Sequence, residues 1–235
     1  MKKICIILSI ISTILLLLLI VFSIKLFNNP STEKIYKDSQ YNVVEVKAYN
    51  DSEFVSYGSA VLIDDIGTFI TNAHVVSYEK SGIHKSFNYI EIRFSYEKEY
   101  RCVTIAKYDI DIDLAIIKLE NIGGLYLKPI EFGNSTKIKS GNTVYSIGNG
   151  MNHGIGISKG IVSIPLVNIK YNDTTKSVIQ CDLVINDGNS GGALLDKKGR
   201  LIGITTFRIK DLSLNPIYGV AYCIPVNIIQ DFLCN

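Results

Sequence analysis

The sequence predicts an all-β domain of two small packed barrels, preceded by an apolar segment and closed by a single helix. From residue 43 onward, short runs rich in Val, Ile and aromatic residues alternate with Gly, Asn and Asp. Many short strands at regular spacing are typical of barrels and sandwiches. The length of residues 43–235 is sufficient for two such barrels and their core.

The strands are predicted from β-type runs, and the helix from helical spacing after a proline. Pro225 suits a helix start, and Val226, Ile229 and Leu233 follow it at near-helical intervals. The predicted strands are Val43–Ala48, Gly58–Ile63, Thr68–Thr71, Tyr89–Phe94, Arg101–Tyr108, Leu114–Leu119, Val144–Gly148, Gly160–Leu166, Val178–Cys181, Leu201–Phe207 and Tyr218–Ile224.

The N-terminal segment is long enough to cross a membrane. Residues 4–24 form an uncharged run of 21 residues, and at about 1.5 Å per residue it covers roughly the 30 Å hydrocarbon core. Signal peptides have shorter apolar regions and a small-residue cleavage site, and no Ala-x-Ala occurs here. We expect a retained membrane anchor, with a cleaved signal as the alternative. Lys2 and Lys3 favour a cytoplasmic N-terminus, although Lys25 weakens the asymmetry.

Domain boundaries follow from this segment. We predict an anchor or signal over residues 1–27, a polar stalk over 28–42 and a folded domain over 43–235, outside the cytoplasm. Of 24 Lys and Arg against 22 Asp and Glu, Lys2, Lys3 and Lys25 flank the apolar run. The remaining chain is almost neutral, so no basic face is expected and nucleic-acid binding is excluded.

The cysteines predict neither a metal site nor a cofactor. Cys102, Cys181, Cys223 and Cys234 follow the apolar run, and none has a close metal-type spacing. Two disulfides or buried free thiols are both compatible with the sequence. In particular, whether Cys181 pairs with Cys223 stays open.

Three segments carry residues suited to nucleophilic catalysis. They are residues 58–76 (GSAVLIDDIGTFITNAHVV), 109–119 (DIDIDLAIIKL) and 186–195 (NDGNSGGALL). A serine hydroxyl needs an adjacent base, which histidine provides near neutral pH, and a carboxylate orients that base. We predict Ser190 as nucleophile, His74 as base and Asp113 as orienting carboxylate, with Asp109 and Asp111 as rivals for the last role.

Glycines around Ser190 predict an oxyanion hole. Gly188, Gly191 and Gly192 permit backbone conformations that other residues rarely adopt. The N–H groups of Gly188 and Ser190, with Asn189 between them, can then point at one spot, where each donor contributes about 2.7–4 kcal/mol to transition-state binding. Each segment alone is a weak signal, whereas the three together are specific.

With these motifs the chain resembles the trypsin-like serine proteases of the chymotrypsin fold, within them the HtrA/DegP-like branch. The resemblance spans roughly residues 43–233 and includes, besides the three segments, IGNG at 147–150, GIVS at 160–163, IQCD at 179–182 and LIGI at 201–204. It implies two packed six-stranded β-barrels with a C-terminal helix. It also implies the catalytic roles given above for His74, Asp113 and Ser190.

The chain departs from the branch at several positions. Asp187, Gly150 and Ala193 stand where proline is usual, and Cys181 replaces a usual threonine. The sequence ends at Asn235, so we expect no PDZ domain. None of these departures removes a catalytic group. Members of the branch commonly form trimers, and the resemblance implies the same homo-oligomer here.

The resemblance also places the specificity pocket. Its floor in this fold lies six positions before the nucleophile, at Val184. An apolar floor offers no partner for a Lys or Arg side chain, and burying an unpaired charge is costly. We therefore expect small or medium apolar residues before the cut. Thr205, Thr206 and Phe207 would form the strand that pairs with the substrate backbone.

The function predicted is an extracytoplasmic serine endopeptidase that acts on polypeptides, unfolded or misfolded ones above all. Two alternatives remain open. The first is a chaperone-like or binding module on the same fold with little proteolysis. The second is a glutamyl-endopeptidase-type protease, which would cut after acidic residues.

Overall fold

The computed structural model describes residues 2–27, 29–51, 53–171, 174–207 and 219–234. It begins with helix α1 (Lys2–Phe27), whose large apolar side chains from Ile4 to Phe22 are exposed. One stretch of it, Lys3–Ser23, is long and apolar enough to span a membrane, and a signal sequence near the N-terminus has the same features. The predicted apolar segment is therefore a helix, and both of its interpretations remain.

A short second helix follows where the sequence predicted a stalk. Helix α2 (Thr32–Ser39) is capped by Ser31, whose hydroxyl accepts a hydrogen bond from the N–H of Lys34 at 3.1 Å. Ile35 is only 2% exposed, and the Tyr36 hydroxyl donates to the carbonyl of Ile155 at 2.7 Å. This polar stretch thus forms a short helix that packs on the folded domain through one apolar face.

The strands form two closed barrels, as the fold class predicted. The N-terminal barrel has the order β1-β2-β3-β8-β7-β6, and its strands are β1 (Val43–Asn50), β2 (Glu53–Leu62), β3 (Thr68–Thr71), β6 (Tyr89–Phe94), β7 (Arg101–Asp109) and β8 (Leu114–Leu119). Helix α3 (Ala73–Val76) follows β3, and strands β4 (Ser77–Lys80) and β5 (Ile83–Ser86) pair as a separate hairpin.

The C-terminal barrel has the order β10-β11-β14-β13-β12-β9. Its strands are β9 (Thr143–Gly148), β10 (Gly156–Tyr171), β11 (Thr174–Asp182), β12 (Ala193–Asp196), β13 (Leu201–Phe207) and β14 (Ala221–Pro225). Helix α4 (Val226–Cys234) ends the fold, with Val226, Ile229 and Phe232 buried. Phe232, three residues after Ile229, is buried with them, and Leu233, which the sequence predicted on this face, is partly buried against the same cluster.

Three short strands were not predicted. The hairpin of β4 and β5 is mostly polar and exposed, so it lacks the apolar alternation of a half-buried strand. Strand β12 is only four residues long and directly follows the glycines after Ser190. Its pairing with both β9 and β13 is a long-range contact that closes the second barrel.

The cores of the two barrels meet in one shared apolar cluster. Each barrel has its own interior, and a third group of buried side chains lies between them, including Val61 and Leu114 from the first barrel and Ile147 and Ile204 from the second. Burial of this cluster from water holds the barrels together. The loops at the ends of their strands therefore face one another.

Candidate active site

Strand pairing brings His74 and Asp113 together. Strands β3 and β8 are antiparallel, with Thr71 opposite Ala115. Residues just after β3 therefore lie beside residues just before β8, which is where His74 and Asp113 stand. His74 Nδ1 lies 3.0 Å from Asp113 Oδ1 and 2.9 Å from Oδ2. The backbone N–H of His74 also donates to Oδ1, at 3.1 Å.

The two rival aspartates have other positions. Asp109 Oδ1 accepts hydrogen bonds from the N–H groups of Asp111 at 2.8 Å and Ile112 at 3.1 Å, which closes the turn before β8. Asp111 is exposed. Asp113 itself has φ +61°, an uncommon left-handed conformation for a residue other than glycine. The turn thus directs the Asp113 carboxylate, and not its two neighbours, toward His74.

Asp113 is buried but ionised. Burial opposes its charge, yet the charge of His74 and hydrogen bonds from the His74 side chain, the Thr206 hydroxyl and the His74 backbone together lower the pKa of Asp113 below its ordinary value. The Thr206 bond, from Oγ1 to Asp113 Oδ2, is 2.7 Å long. Thr206 belongs to the second barrel, so this carboxylate is stabilised from both sides of the cleft.

Ser190 lies in a tight glycine turn of the second barrel. Gly188 has φ +93° and Gly191 has φ +82°, values that side-chain-bearing residues rarely adopt. The Ser59 hydroxyl donates to the Gly188 carbonyl at 2.7 Å and accepts from the Asn149 N–H at 2.8 Å. A buried hydroxyl from the first barrel thereby fixes the turn ahead of Ser190.

The amides at this turn leave two donors available. The N–H groups of Gly188 and Ser190 donate to no acceptor within the described ranges. Asn189, predicted as part of the same hole, donates its N–H to the Asn186 carbonyl at 3.0 Å. Asn189 therefore shapes the turn, and the free donors are those of Gly188 and Ser190.

The Ser190 hydroxyl is bonded to a strand carbonyl in this structure. Ser190 Oγ donates to the Thr206 carbonyl at 2.8 Å. No hydrogen bond among the described residues joins it to His74. The structure thus brings His74 and Asp113 into direct contact and places Ser190 across the cleft, with its hydroxyl held by β13.

Asn72 links the two catalytic loops, and the sequence reasoning missed it. Its side chain is fully buried, donates to the Asp113 carbonyl at 2.8 Å and accepts from the Gly191 N–H at 2.7 Å. One carboxamide therefore joins the residue that orients the base to the residue after the nucleophile. Its position two residues before His74 was the one feature of the sequence that could have pointed to a role at the site. Its partners are distant in the chain.

The predicted substrate strand has mixed outcomes. Thr205 is buried and bonds to the serine turn, donating its N–H to Gly192 and accepting from the Gly191 N–H, both at 2.9 Å. It supports the nucleophile and does not face the cleft. Thr206 contacts Asp113, as described. Phe207 pairs through its backbone with Tyr222, its side chain lies outside the described part, and so do residues 208–218.

Val184 is not an enclosed pocket floor here. Its side chain is 66% exposed, and its carbonyl accepts a hydrogen bond from the Ser158 hydroxyl at 3.1 Å. The neighbouring Leu183 and Ile185 are buried instead. The segment therefore turns its flanking residues inward and leaves Val184 at the surface.

The cysteines of the second barrel are free thiols in contact. Cys181 and Cys223 are both buried and reduced. A hydrogen bond between them, together with burial, raises the pKa of Cys223 well above its ordinary value. Within the described ranges no group of three or more His, Cys, Asp or Glu side chains could hold a metal ion.

This geometry agrees with the comparisons to known proteins. A family model described as "Trypsin-like peptidase domain" matches residues 58–204, more than half of the chain. The chain belongs to this family. The match covers all three segments that carry His74, Asp113 and Ser190, and it confirms the resemblance seen in the sequence.

The chain is also similar to relatives that are named as HtrA-like or DegP-like serine proteases. It is 34% identical over 180 residues to a probable periplasmic serine endoprotease, DegP-like, of Buchnera aphidicola, covering 76% of this chain and 36% of that protein. It is 33% identical over 198 residues to a serine protease, HtrA-like, of Staphylococcus epidermidis, covering 79% of this chain and 31% of that protein. The chain thus spans about a third of the length of these relatives.

A solved structure of the same type shares the fold. An HtrA-type protease, AlgW, solved with a tripeptide, superposes with a TM-score of 0.72 at 28% identity. The superposition covers 87% of this chain and 63% of that one. The double-barrel architecture predicted from the sequence is therefore confirmed by the strand order and by a structural neighbour.

Proposed function

We propose that the chain is an HtrA-type serine endopeptidase that hydrolyses peptide bonds of polypeptides outside the cytoplasm. The observation that carries this proposal is the contact of His74 Nδ1 with both oxygens of the Asp113 carboxylate, across the cleft from Ser190 and two free amides. Asp113 holds the proton of His74 on Nδ1, so that Nε2 is left as a base. This is the arrangement that activates a serine hydroxyl.

The chemistry proceeds in two halves. His74 takes the hydroxyl proton as Ser190 Oγ attacks the substrate carbonyl, and the N–H groups of Gly188 and Ser190 bind the oxyanion that forms. The C–N bond breaks as His74 returns the proton to the leaving amine, which leaves an acyl-enzyme on Ser190. Water then attacks this ester with His74 again as base, releasing the acid and restoring the hydroxyl.

Thr206 connects substrate binding to activation of the nucleophile. Its carbonyl accepts the Ser190 hydroxyl in this structure, and its side chain holds Asp113. A substrate backbone N–H that pairs with β13 competes for the same carbonyl, as in strand addition. The Ser190 hydroxyl is then released to turn toward His74.

Substrate preference is proposed from the residues before the nucleophile. In the run from Leu183 to Ile185 the exposed side chain is that of Val184, which is apolar and gives the residue before the cut no ion pair. This supports small or medium apolar residues at that position and disfavours Lys and Arg. The membrane-length helix α1 and the relative named as periplasmic support action on extracytoplasmic polypeptides, with α1 as the anchor.

The test compares the full chain in mild detergent with Ser190→Ala on an unfolded protein. We expect cleavage and fluorophosphonate labelling by the wild type, and a loss of activity of at least about 10⁴-fold in Ser190→Ala. Ser177→Ala, which removes a hydroxyl bonded to Asn168 in the β10–β11 hairpin, is the matched control and keeps full activity.

Three results would change the assignment. Equal cleavage by wild type and Ser190→Ala removes the proposed mechanism. Binding of the unfolded protein without cleavage or labelling supports the chaperone-like alternative. Cleavage sites with acidic residues before the cut support the glutamyl-endopeptidase type.

A further inference from the structure

Four aromatic rings form a line on the outer face of the N-terminal barrel, which we name the aromatic track: Tyr57, Phe54, Tyr49 and Tyr89. The ring centroids of successive members are 6.2, 5.7 and 5.6 Å apart. Phe54 is 46% exposed and Tyr89 43% exposed. Exposed aromatic rings in a continuous line are a costly surface to leave to water, and they mark an interaction site.

The strand register explains why the rings share one face. In the pairing of β1 with β2, Lys47 lies opposite Tyr57 and Tyr49 opposite Phe54, with an irregularity between Ala48 and Tyr49. In the pairing of β1 with β6, Tyr49 lies opposite Tyr89. Opposed residues point to the same side of a sheet, and Ala48 between them is buried on the other side.

One end of the aromatic track contacts the serine turn. A side-chain carbon placed at Gly188 would lie 2.8 Å from Tyr57 Cε2 and 3.0 Å from Cδ2. The Tyr57 ring therefore packs directly on the residue whose N–H is proposed to bind the oxyanion. The track is continuous with the catalytic cleft and is not a separate patch.

The direction of the aromatic track follows from the elements around Ser190. Under the proposed function, the part of the substrate before the cut pairs with β13, which contacts the serine turn through Thr205 and Thr206. Tyr57 contacts the same turn at Gly188 and comes from the other barrel. A polypeptide that leaves β13 and passes Ser190 therefore continues toward Tyr57 with the residues that follow the cut.

The far end of the aromatic track opens into a cavity of about 480 Å³ lined by Tyr49, Asp51, Asn88 and Tyr89, within the range of about 300–1,000 Å³ typical of ligand sites. Asn88 donates to Asp51 at 2.9 Å, which pairs the carboxylate within the wall. Burial and a hydrogen bond to Glu91 raise the pKa of Tyr49 to about 12, so its hydroxyl stays neutral. The aromatic rings are thus the main groups of this wall that remain for contact with a ligand.

We infer that the aromatic track binds substrate residues on the carboxyl side of the cut and selects aromatic side chains there. The inference rests on the proposed peptidase function and adds a preference that it does not contain. Three ring-to-ring steps of about 6 Å, against roughly 3.3 Å per extended residue, place the contacts from about the second to the seventh residue after the cut. Ring stacking and edge-to-face contacts supply the selectivity.

The experiment uses the full chain in detergent with peptides that share the sequence before the cut. The peptides differ at the third to fifth residues after the cut, where one set carries Phe, a second set Ala and a third set Lys. We expect the wild type to cleave the Phe peptides with a kcat/KM roughly 3- to 10-fold above the Ala peptides, as one or two ring contacts provide. In Phe54→Ala the ratio of kcat/KM for Phe over Ala peptides should fall to about one, and Phe54→Tyr should retain the wild-type ratio.

The matched control is Tyr96→Ala, which removes a similarly exposed ring near the opposite end of β6 from Tyr89. It should keep the preference.

Equal cleavage of Phe and Ala peptides by the wild type, a preference for Lys, or a Phe preference that survives in Phe54→Ala overturns the inference. Fluorophosphonate labelling of Ser190 separates the two claims: labelling with no Phe preference refutes the track alone, whereas absence of labelling and cleavage refutes the peptidase function and the track with it.

Discussion

In the N-terminal barrel, His74 and Asp113 are already joined by two short contacts, and the carboxylate is also held by Thr206 and by the His74 backbone. In the C-terminal barrel, the Ser190 hydroxyl is bonded to a carbonyl of β13. The N–H groups of Gly188 and Ser190 donate to no acceptor among the described residues. The hydrogen bonds around His74 and Asp113 are therefore already formed in the structure. Ser190 lies in a turn organised by glycines, and under the proposed mechanism its hydroxyl must change its hydrogen-bond partner.

The contrast between the two barrels indicates which hydrogen bonds a substrate would change under the proposed mechanism. Substrate has nothing to rearrange around Asp113, because four stabilising interactions already outweigh burial and hold its charge. It can displace the Ser190 hydroxyl from the Thr206 carbonyl, since a backbone N–H is an equivalent donor. Changes at His74 or Asp113 should thus remove the chemistry, and changes to the backbone groups around Ser190 should alter how readily it begins.

The largest effect is expected from Asp113→Asn. The amide cannot stabilise the imidazolium of His74 and favours the wrong tautomer, so kcat should fall about 10⁴-fold with little change in KM. Single-turnover kinetics on an apolar peptide measure this loss. A reduction of less than tenfold would show that His74 does not depend on this carboxylate.

The same variant tests the charge of Asp113 through stability. Its pKa is lowered in the folded state, so its contribution to stability is present above the ordinary carboxyl pKa and is lost as the pH falls through the folded value. Between about pH 5 and pH 2, the wild type should therefore lose more stability than Asp113→Asn, as measured by chemical unfolding. Parallel curves for the two proteins would contradict the lowered pKa.

The second effect is expected from Gly188→Ala. The new methyl group would collide with the Asn149 carbonyl and the Tyr57 ring, at a residue with φ +93°. Displacement of this amide should slow fluorophosphonate labelling about 10²- to 10³-fold, the usual effect of losing one oxyanion donor. Gly199→Ala is the control, because Gly199 has φ +82° but no neighbour closer than 3.8 Å. Labelling of Gly188→Ala at the wild-type rate would show that this amide does not act on the oxyanion.

The smallest effect is expected from Asn72→Ala, which cuts the link between the halves. The Asp113 carbonyl loses its partner and Gly191 keeps only its bond to Thr205. We expect a loss of about 1–3 kcal/mol in stability and a fall of about 10- to 100-fold in kcat. Asn42→Ala, which removes a buried carboxamide bonded to the Lys128 carbonyl, should cost similar stability without a matching loss of kcat. Equal kcat for both variants would remove the linking role of Asn72.

The sequence was sufficient for features that depend on local pattern. Strand runs such as Thr68–Thr71 and Leu114–Leu119 have the predicted bounds, because apolar residues bounded by turn residues define them. The motifs around His74, Asp113 and Ser190 likewise stand at strand ends or in glycine turns, and the family resemblance, which the comparisons confirm, implied the roles of these residues.

Features set by distant partners were beyond such reasoning. Asn72 bonds to Gly191, 119 residues away, and Thr206 bonds to Asp113, 93 residues away. The docking of α2 depends on a carbonyl in the second barrel, and the exposure of Val184 depends on how its segment turns. No local pattern specifies these contacts, since each arises only when the two barrels pack.

The docking of α2 sets a spatial limit on the enzyme. Helix α1 ends at Phe27 and α2 begins at Thr32, so the connecting chain reaches less than about 20 Å even when fully extended. Where α1 is embedded in a bilayer, the barrels are therefore confined to a thin layer next to the lipid headgroups. The active site of such a protease would stay within a short distance of the membrane surface. It would meet chain segments emerging from the membrane before those free in solution.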